Sequence, residues 1–442
     1  MTSWSVGSAR HKSRHAARRL KPFLALGRGH FRAALAGARL PPGSLRSLSD
    51  DSLHDPTLLL KHAEIHGGVF KAWLGGKLTT CIFGLGQGRR FLAENESRIR
   101  AATTDFVPLF PHGTLRQMGG DSHREYRRIF IEAFRAVSLD EHREAIREIL
   151  DRTLRSLAAA DQPVDFDHVR LLLKRGLTEI LFRLVLGIDR GWQGFDELME
   201  SYERFAPNGI FVVVRPEHRA IYERMRSLLA ARSEELRTDT SYRSLHGQLI
   251  AAGKADDTSI GNLLQMTEAG RFDMMGLWSW LMKILGENPE VLDQVVRLPD
   301  RDARASLCQA IVMEALRLEQ SEFILREATA DIEFDGYFIP KRTRIRIAVW
   351  ESHKDPGHFA DPFRFDPERF VDGMPPTETY APFGLDKHRC LGADWVVMLS
   401  ASFVEELAAG LRWEVMGNAV AERGVFHFEP SRKLSIRVRP LS

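Results

Sequence analysis

APFGLDKHRCLG, residues 381–392, sets one cysteine behind a basic triplet and in front of the apolar run ADWVVMLSASFVEEL. The chain's two other cysteines, Cys81 and Cys308, are distant in sequence, and no pair has the close spacing of zinc or disulfide scaffolds. Cys390 is therefore read on its own. Lys387, His388 and Arg389 bring positive charge, and the helix expected after residue 392 brings its N-terminal dipole, so the sequence predicts a lowered thiol pKa. The usual fate of a lone cysteine is an inert buried one. Cys81, in a strand pattern, and Cys308, on an amphipathic helix, are read that way.

Working outward, 442 residues with 44% hydrophobic composition are enough to bury a large core. The scattered cysteines fit a reducing, cytoplasmic setting, and with no run of about 18 apolar residues and no secretory apolar core at the start, the chain is expected neither to span a membrane nor to enter one. The net charge is +3, yet nothing acidic precedes Asp50 while basic residues recur from Arg10 to Arg39. Residues 1–50 read as a basic arm with three open readings: contact with an anionic surface, a partly disordered leader, or an organelle transit peptide. Without an aromatic ladder or a recognised motif, nucleic-acid binding ranks below these.

GGVFKAWLGGKLTTCIFGLG, residues 67–86, predicts a small hairpin-type sheet, and Gly84, Gly86 and Gly88 lack GxGxxG spacing and read as a turn. Apolar residues at intervals of three and four between Asp140 and Arg237 predict successive amphipathic helices. A further helical pattern over 259–296, broken at Asn288 and Pro289, is nearly continuously apolar from Met274 to Leu285 and so belongs in the core. The fold class expected is mainly α with a minor β portion, as one large domain over 51–442.

Four stretches share one resemblance. Residues 381–392 resemble the haem-binding loop of the cytochrome P450 family, the haem-thiolate monooxygenases. Glu-Ala-Leu-Arg at 314–317 resembles its ExxR helix, Phe-Asp-Pro-Glu-Arg-Phe at 365–370 its PERF segment, and Gly-Gly-Asp-Ser-His-Arg-Glu-Tyr-Arg-Arg at 119–128 its propionate-contacting helix. The resemblance runs from about residue 60 to the end. It implies haem b (iron protoporphyrin IX) as cofactor, with Cys390 as axial ligand, a donor whose electron push favours O–O cleavage. It further implies His123, Arg127, Arg326 and His388 on the propionates, Phe383 and Gly392 in the cysteine loop, and a Glu314–Arg317–Arg369 network holding that loop.

The long helix departs from the family pattern. Aligned on Asn-Pro-Glu-Val at 288–291, Ala269 and Gly270 fall over the haem, but Phe272 stands where the family has an acid and Asp273 where it has a threonine. Asp273 shares a face with Ala269, four residues away, and a carboxyl group can relay protons or bind a basic group on the substrate. A substrate pocket is expected from Phe106, Phe110, Phe205, Phe211, Phe323, Ile324 and Phe426 by the same resemblance, which suggests an apolar ligand. Asp386 and Ser321 replace a loop glycine and a common proline. The expected activity is insertion of one oxygen atom into a small or medium apolar molecule of secondary metabolism, by a monomer drawing electrons from a separate ferredoxin or flavodoxin with its reductase. The alternative keeps fold and haem but runs peroxygenase, isomerase, dehydratase or coupling chemistry. A haem protein without catalysis is the third reading.

Overall fold

The structure, a computed structural model, describes residues 27–43, 55, 57–74, 77–102, 106–159, 163–206, 213–239, 243–320, 323–385, 387–418, 421–423 and 428–440. Most of the basic arm, Phe211, Ser321, Asp386 and Phe426 lie outside these. The chain forms two compact units, residues 1–103 with 322–360 and 376–387, and residues 104–321 with 361–375 and 388–442.

The first unit holds a helix over residues 27–35 (α1), α2 (Leu58–His66), β1 (Val69–Leu74), β2 (Lys77–Phe83), α3 (Leu85–Glu94), β3 (Ile99–Ala101), β5 (Phe323–Ala328), β6 (Ile332–Phe334), β7 (Tyr337–Ile339), β8 (Arg344–Ala348) and the short α13 (Val349–Ser352). Its main sheet has the order β1-β2-β8-β5-β3. The hairpin is antiparallel, with Val69 opposite Ile82 and Phe70 opposite Cys81, whereas β2 runs parallel to β8. Ile82, Phe91, Ile345 and Ile347 form its buried centre. The expected glycine turn is corrected here, because Gly84 alone has a left-handed φ of 92° and Gly86 and Gly88 lie inside α3. Leu85, Gly88, Phe91 and Leu92 repeat at helical spacing and are buried. A Cβ at Gly88 would lie 2.5 Å from a methyl of Ile347, so glycine is there for close approach.

The second unit is helical: α4 (Gly120–Ala136), α5 (Arg143–Ala158), α6 (Phe166–Leu181), α7 (Phe195–Phe205), α8 (Pro216–Leu236), α9 (Leu245–Ala251), α10 (Asp257–Glu287), α11 (Pro289–Arg297), α12 (Arg301–Glu319) and α14 (Ala393–Gly410). Strands β4 (Val164–Asp165), β12 (Ser435–Pro440) and β9 (Leu411–Met416) form a small antiparallel sheet, and β10 (Glu422–Arg423) pairs with β11 (Phe428–Glu429). The central helix α10 starts where the Asp256 carboxylate accepts from Ser259 N–H, and Pro289 prevents its continuation. Met274, Met275, Leu277, Trp278, Trp280, Leu281 and Leu285 are all buried, so it is wrapped on nearly every side. Trp278 stacks on Phe403 of α14 with ring centroids 4.2 Å apart and donates its indole N–H to Ser400. That contact fixes α14, whose first turn carries the cysteine loop. No helix among the described residues is long and apolar enough to cross a membrane.

Candidate active site

The site grows from the end of the loop into α14. Gly392 caps the helix, and Cys390 sits two residues before it. The thiol is exposed to a solvent-sized sphere yet lies deep within the protein, as a group lining an interior recess does. Burial pushes its pKa up, and the carboxylate of Asp273 adds to the rise, while the Gly392 N–H, Arg389 and Arg127 pull it down. The expectation of a net lowered pKa is thus corrected. The basic neighbours act in the anticipated direction, but loss of hydration outweighs them.

The Asp273 effect also places the α10 carboxylate within electrostatic reach of the cysteine. Asp273 is exposed between buried Phe272 and buried Met274, and Ala269 and Gly270, on the adjoining turn, are half-buried. Its backbone carbonyl accepts from Gln320, the buried residue that closes α12, at 3.1 Å. α10 is therefore tied to the helix that carries Glu314 and Arg317.

Those two residues are fully buried. Arg317 donates Nε to one carboxylate oxygen of Glu314 at 2.6 Å and Nη2 to the other at 2.8 Å. Its remaining donors reach the carbonyls of Pro362 and Arg364, while the Asp366 N–H donates to Glu314 at 2.9 Å. Arg369 joins with its Nε 3.5 Å from Glu314 Oε1. The three residues form one network, stitched to the 361–370 segment through its backbone.

On α4 the buried His123 ring lies 4.3 Å from that of His388, and Arg127, one turn on, donates to the carbonyl of Arg389 at 3.0 Å. Two imidazoles and a guanidinium thus adjoin the cysteine loop. A soft thiol in a recess, flanked by donors suited to carboxylates, fits iron protoporphyrin IX with its two propionates. In the other unit, Arg326 is half-buried on β5 and donates to the carbonyl of Leu325, Phe323 carries the Arg346 guanidinium 4.2 Å above its ring, and Ile324 and Phe383 are half-buried. There the buried His353 Nε2 accepts from Ala381 N–H at 3.1 Å and so anchors the start of the loop.

Phe106, Phe110 and Phe205 are buried. Phe106 packs edge-on to Phe110, which meets Tyr222, and Phe205 meets His218. Phe211 and Phe426 fall outside the described residues. Sequence reading missed Glu268 and Arg271, a buried pair joined at 2.7 Å on α10. Their i,i+3 spacing inside an apolar helix was the available signal.

The sequence profile of the cytochrome P450 family matches residues 283–399, a span containing the ExxR, PERF and cysteine-loop stretches. The chain belongs to the cytochrome P450 family. It is 25% identical over 385 residues to abscisic acid 8'-hydroxylase 1 of Arabidopsis thaliana, covering 80% of this chain and 79% of the relative. Against abscisic acid 8'-hydroxylase 1 of Oryza sativa subsp. japonica it is 25% identical over 424 residues, 87% of each. The structure of retinoic acid-bound cyanobacterial CYP120A1 superposes with a TM-score of 0.71 at 23% identity, over 91% of this chain and all of the other. A zebrafish cytochrome P450 with progesterone gives 0.71 at 19% identity, over 87% and 99%. This cytochrome P450 is a haem-thiolate monooxygenase with haem b as its cofactor, acting on a small molecule with electrons from redox partners.

Proposed function

We propose that this P450 hydroxylates a medium-sized apolar molecule, with Cys390 as the iron ligand and Asp273 as the group that exchanges protons at the reacting centre. The observation that carries the proposal is the placement of Asp273, exposed between buried Phe272 and Met274 on α10, with its backbone carbonyl held by Gln320 at the end of α12. Bound haem supplies the chemistry of oxygen activation. In the overall balance, R–H, O2, two electrons and two protons give R–OH and water. The protein must therefore deliver electrons from outside and protons from within.

His123, Arg127 and His388, with Arg326, are assigned to the propionates, and the Glu314–Arg317–Arg369 network to holding the loop so that Cys390 keeps its position. Phe383 and Gly392 shape the loop around the ligand. Ala269, four residues before Asp273, is small enough to leave room on that face of α10, while Gly270 lets Leu181 of α6 pack close. The pocket walls are assigned to Phe106, Phe110, Phe205, Phe323 and Ile324. The electron donor is assigned as a separate ferredoxin or flavodoxin with its reductase. Its docking is assigned to Lys387 and Arg389, which are exposed and basic. A monomer in the cytoplasm is the state in which we place it.

Two similar hydroxylases are named for abscisic acid and one fold neighbour holds retinoic acid, so these acids are the first compounds to test. The test supplies the haem-loaded protein with NADPH, ferredoxin, ferredoxin reductase and 18O2. One labelled atom in the product is expected, with Asp273→Asn slowing turnover by ~100-fold, the lower range for loss of a general acid or base. Product from hydrogen peroxide alone, or without any reductant, replaces this reading by the peroxygenase or isomerase one.

A further inference from the structure

The face of α1 that points away from the protein is its more apolar one. Gly29 and Ala33, four residues apart and so on one side of the helix, are buried, and Ala33 packs with Leu40 and with Phe338 of β7. A Cβ on Gly29 would stand 3.2 Å from a methyl of Leu40 and 3.5 Å from the Pro340 ring, so the helix docks closely through its smallest residues. Phe31 and Leu35, again four apart, occupy the opposite side and are 66% and 73% exposed. A helix packed on a protein core ordinarily does the reverse, with its large apolar residues turned inward.

Specific contacts hold α1 in this orientation. Arg32 forms an ion pair with Asp331, whose carboxylate also accepts from the Lys341 N–H at 2.7 Å. Just past the helix, the Arg39 carbonyl accepts from the Phe338 N–H at 2.8 Å, and the Arg39 guanidinium lies 5.3 Å from the centre of the Tyr337 ring. Turning Phe31 and Leu35 inward would break these contacts and put bulky side chains where glycine and alanine fit.

The chain brings charge of one sign to the outward face. Arg28 and His30 are exposed on α1, and Asp331 is already paired with Arg32. In sequence, Arg10, Lys12, Arg14, Arg18, Arg19 and Lys21 come before the helix, and no acidic residue occurs before Asp50. Projecting apolar side chains on a helix rimmed by cations suit the plane of a lipid surface, with the apolar groups at the acyl boundary and the cations among the headgroups. An acidic protein surface answers the charge alone; an anionic bilayer answers the charge and the apolar side chains together.

We propose that α1, with the basic sequence before it, attaches this protein peripherally to an anionic lipid surface, Phe31 and Leu35 entering the acyl boundary and Arg28 meeting the phosphates. At nine residues α1 is too short to cross a bilayer and lies along it. The attachment is independent of the chemistry proposed above.

The test is co-sedimentation of the whole haem-loaded chain with vesicles of phosphatidylserine and phosphatidylcholine in equal parts, and with vesicles of phosphatidylcholine alone. Binding to the mixed vesicles, weakened by added salt, is expected. The double variant Phe31→Ser, Leu35→Ser should bind ~10-fold more weakly or worse, and Arg28→Glu ~10-fold more weakly. All three side chains are exposed, so the carbon monoxide difference spectra should match that of the wild type. An indole introduced by Phe31→Trp should in addition be quenched by bromine-labelled lipid. No binding, equal binding to both kinds of vesicle, or an indole that the labelled lipid leaves unquenched overturns the proposal. Binding that the double substitution leaves unchanged shows that charge alone holds the protein, and also overturns it. If that substitution instead weakens binding to an acidic ferredoxin while vesicle binding stays the same, the face docks a protein and the lipid assignment fails.

Discussion

Removing one member of the Glu314–Arg317 pair tests the energetics of the loop support directly. Glu314→Leu leaves a fully buried guanidinium without its carboxylate, and Arg317→Met leaves the carboxylate without its main partner. Each should cost about 3–5 kcal/mol, the range for an uncompensated buried charge. In the double variant neither member of the pair remains, and Arg369, its side chain 13% exposed, keeps Asp366 as its carboxylate partner. What is lost is the partner of three backbone groups, the Asp366 N–H and the carbonyls of Pro362 and Arg364. At about 1 kcal/mol for each unsatisfied group, the double variant should cost about 3 kcal/mol, far below the sum of the single ones. The cycle therefore predicts a coupling of about 3 kcal/mol or more. Urea denaturation of the four proteins, followed by far-ultraviolet circular dichroism, gives each midpoint and slope. A coupling under about 1 kcal/mol would refute the reasoning, since the pair would then not be acting as a desolvated unit.

Two further predictions concern stability. His246 is fully buried, with its Nε2 at 2.8 Å from the Ser233 hydroxyl, and burial lowers its pKa to about 4 from 6.5. The unfolded chain binds the proton first, so this contribution is intact above pH 6.5 and is lost as pH falls toward 4; it is worth roughly 3 kcal/mol, and His246→Gln should flatten that part of the stability profile. If wild type and variant show the same pH dependence between 6.5 and 4, the assignment is wrong. At Gly286, near the end of α10, a Cβ would lie 2.4 Å from the Trp413 indole nitrogen, which donates to the Met282 carbonyl. Gly286→Ala should cost about 1–3 kcal/mol by overpacking, and a melting temperature unchanged from wild type would show that β9 yields freely.

The helices and the main hairpin were legible because their signals are local. Asn288 followed by Pro289 divides α10 from α11 as the residue types require, and the β-branched and aromatic residues of 69–83, divided by a glycine pair, specify two strands. The Gly84–Gly88 stretch misled because glycine frequency suggests a turn, whereas Gly86 and Gly88 lie in a helix and Gly88 lets that helix approach Ile347 closely. The thiol of Cys390 misled for a related reason. Charges next to it in sequence can be counted, but the hydration removed by distant segments cannot. Glu268 was passed over because an i,i+3 pair reads as a surface ion pair until its burial is known.

The two buried Glu–Arg pairs show how similar spacing can serve different ends. Glu314 and Arg317 bond to each other and to the backbone of 362–366, with Arg369 beside Glu314, so movement there leaves a charge or a peptide group unsatisfied. Gln320, one residue past that helix, carries the constraint to the Asp273 carbonyl. The backbone of α10 at the site is thereby held, while the Asp273 side chain stays exposed and the Glu268 side chain keeps an unused acceptor. A fixed main chain beside an exposed carboxylate is the combination proton exchange needs, because positions must persist from one cycle to the next.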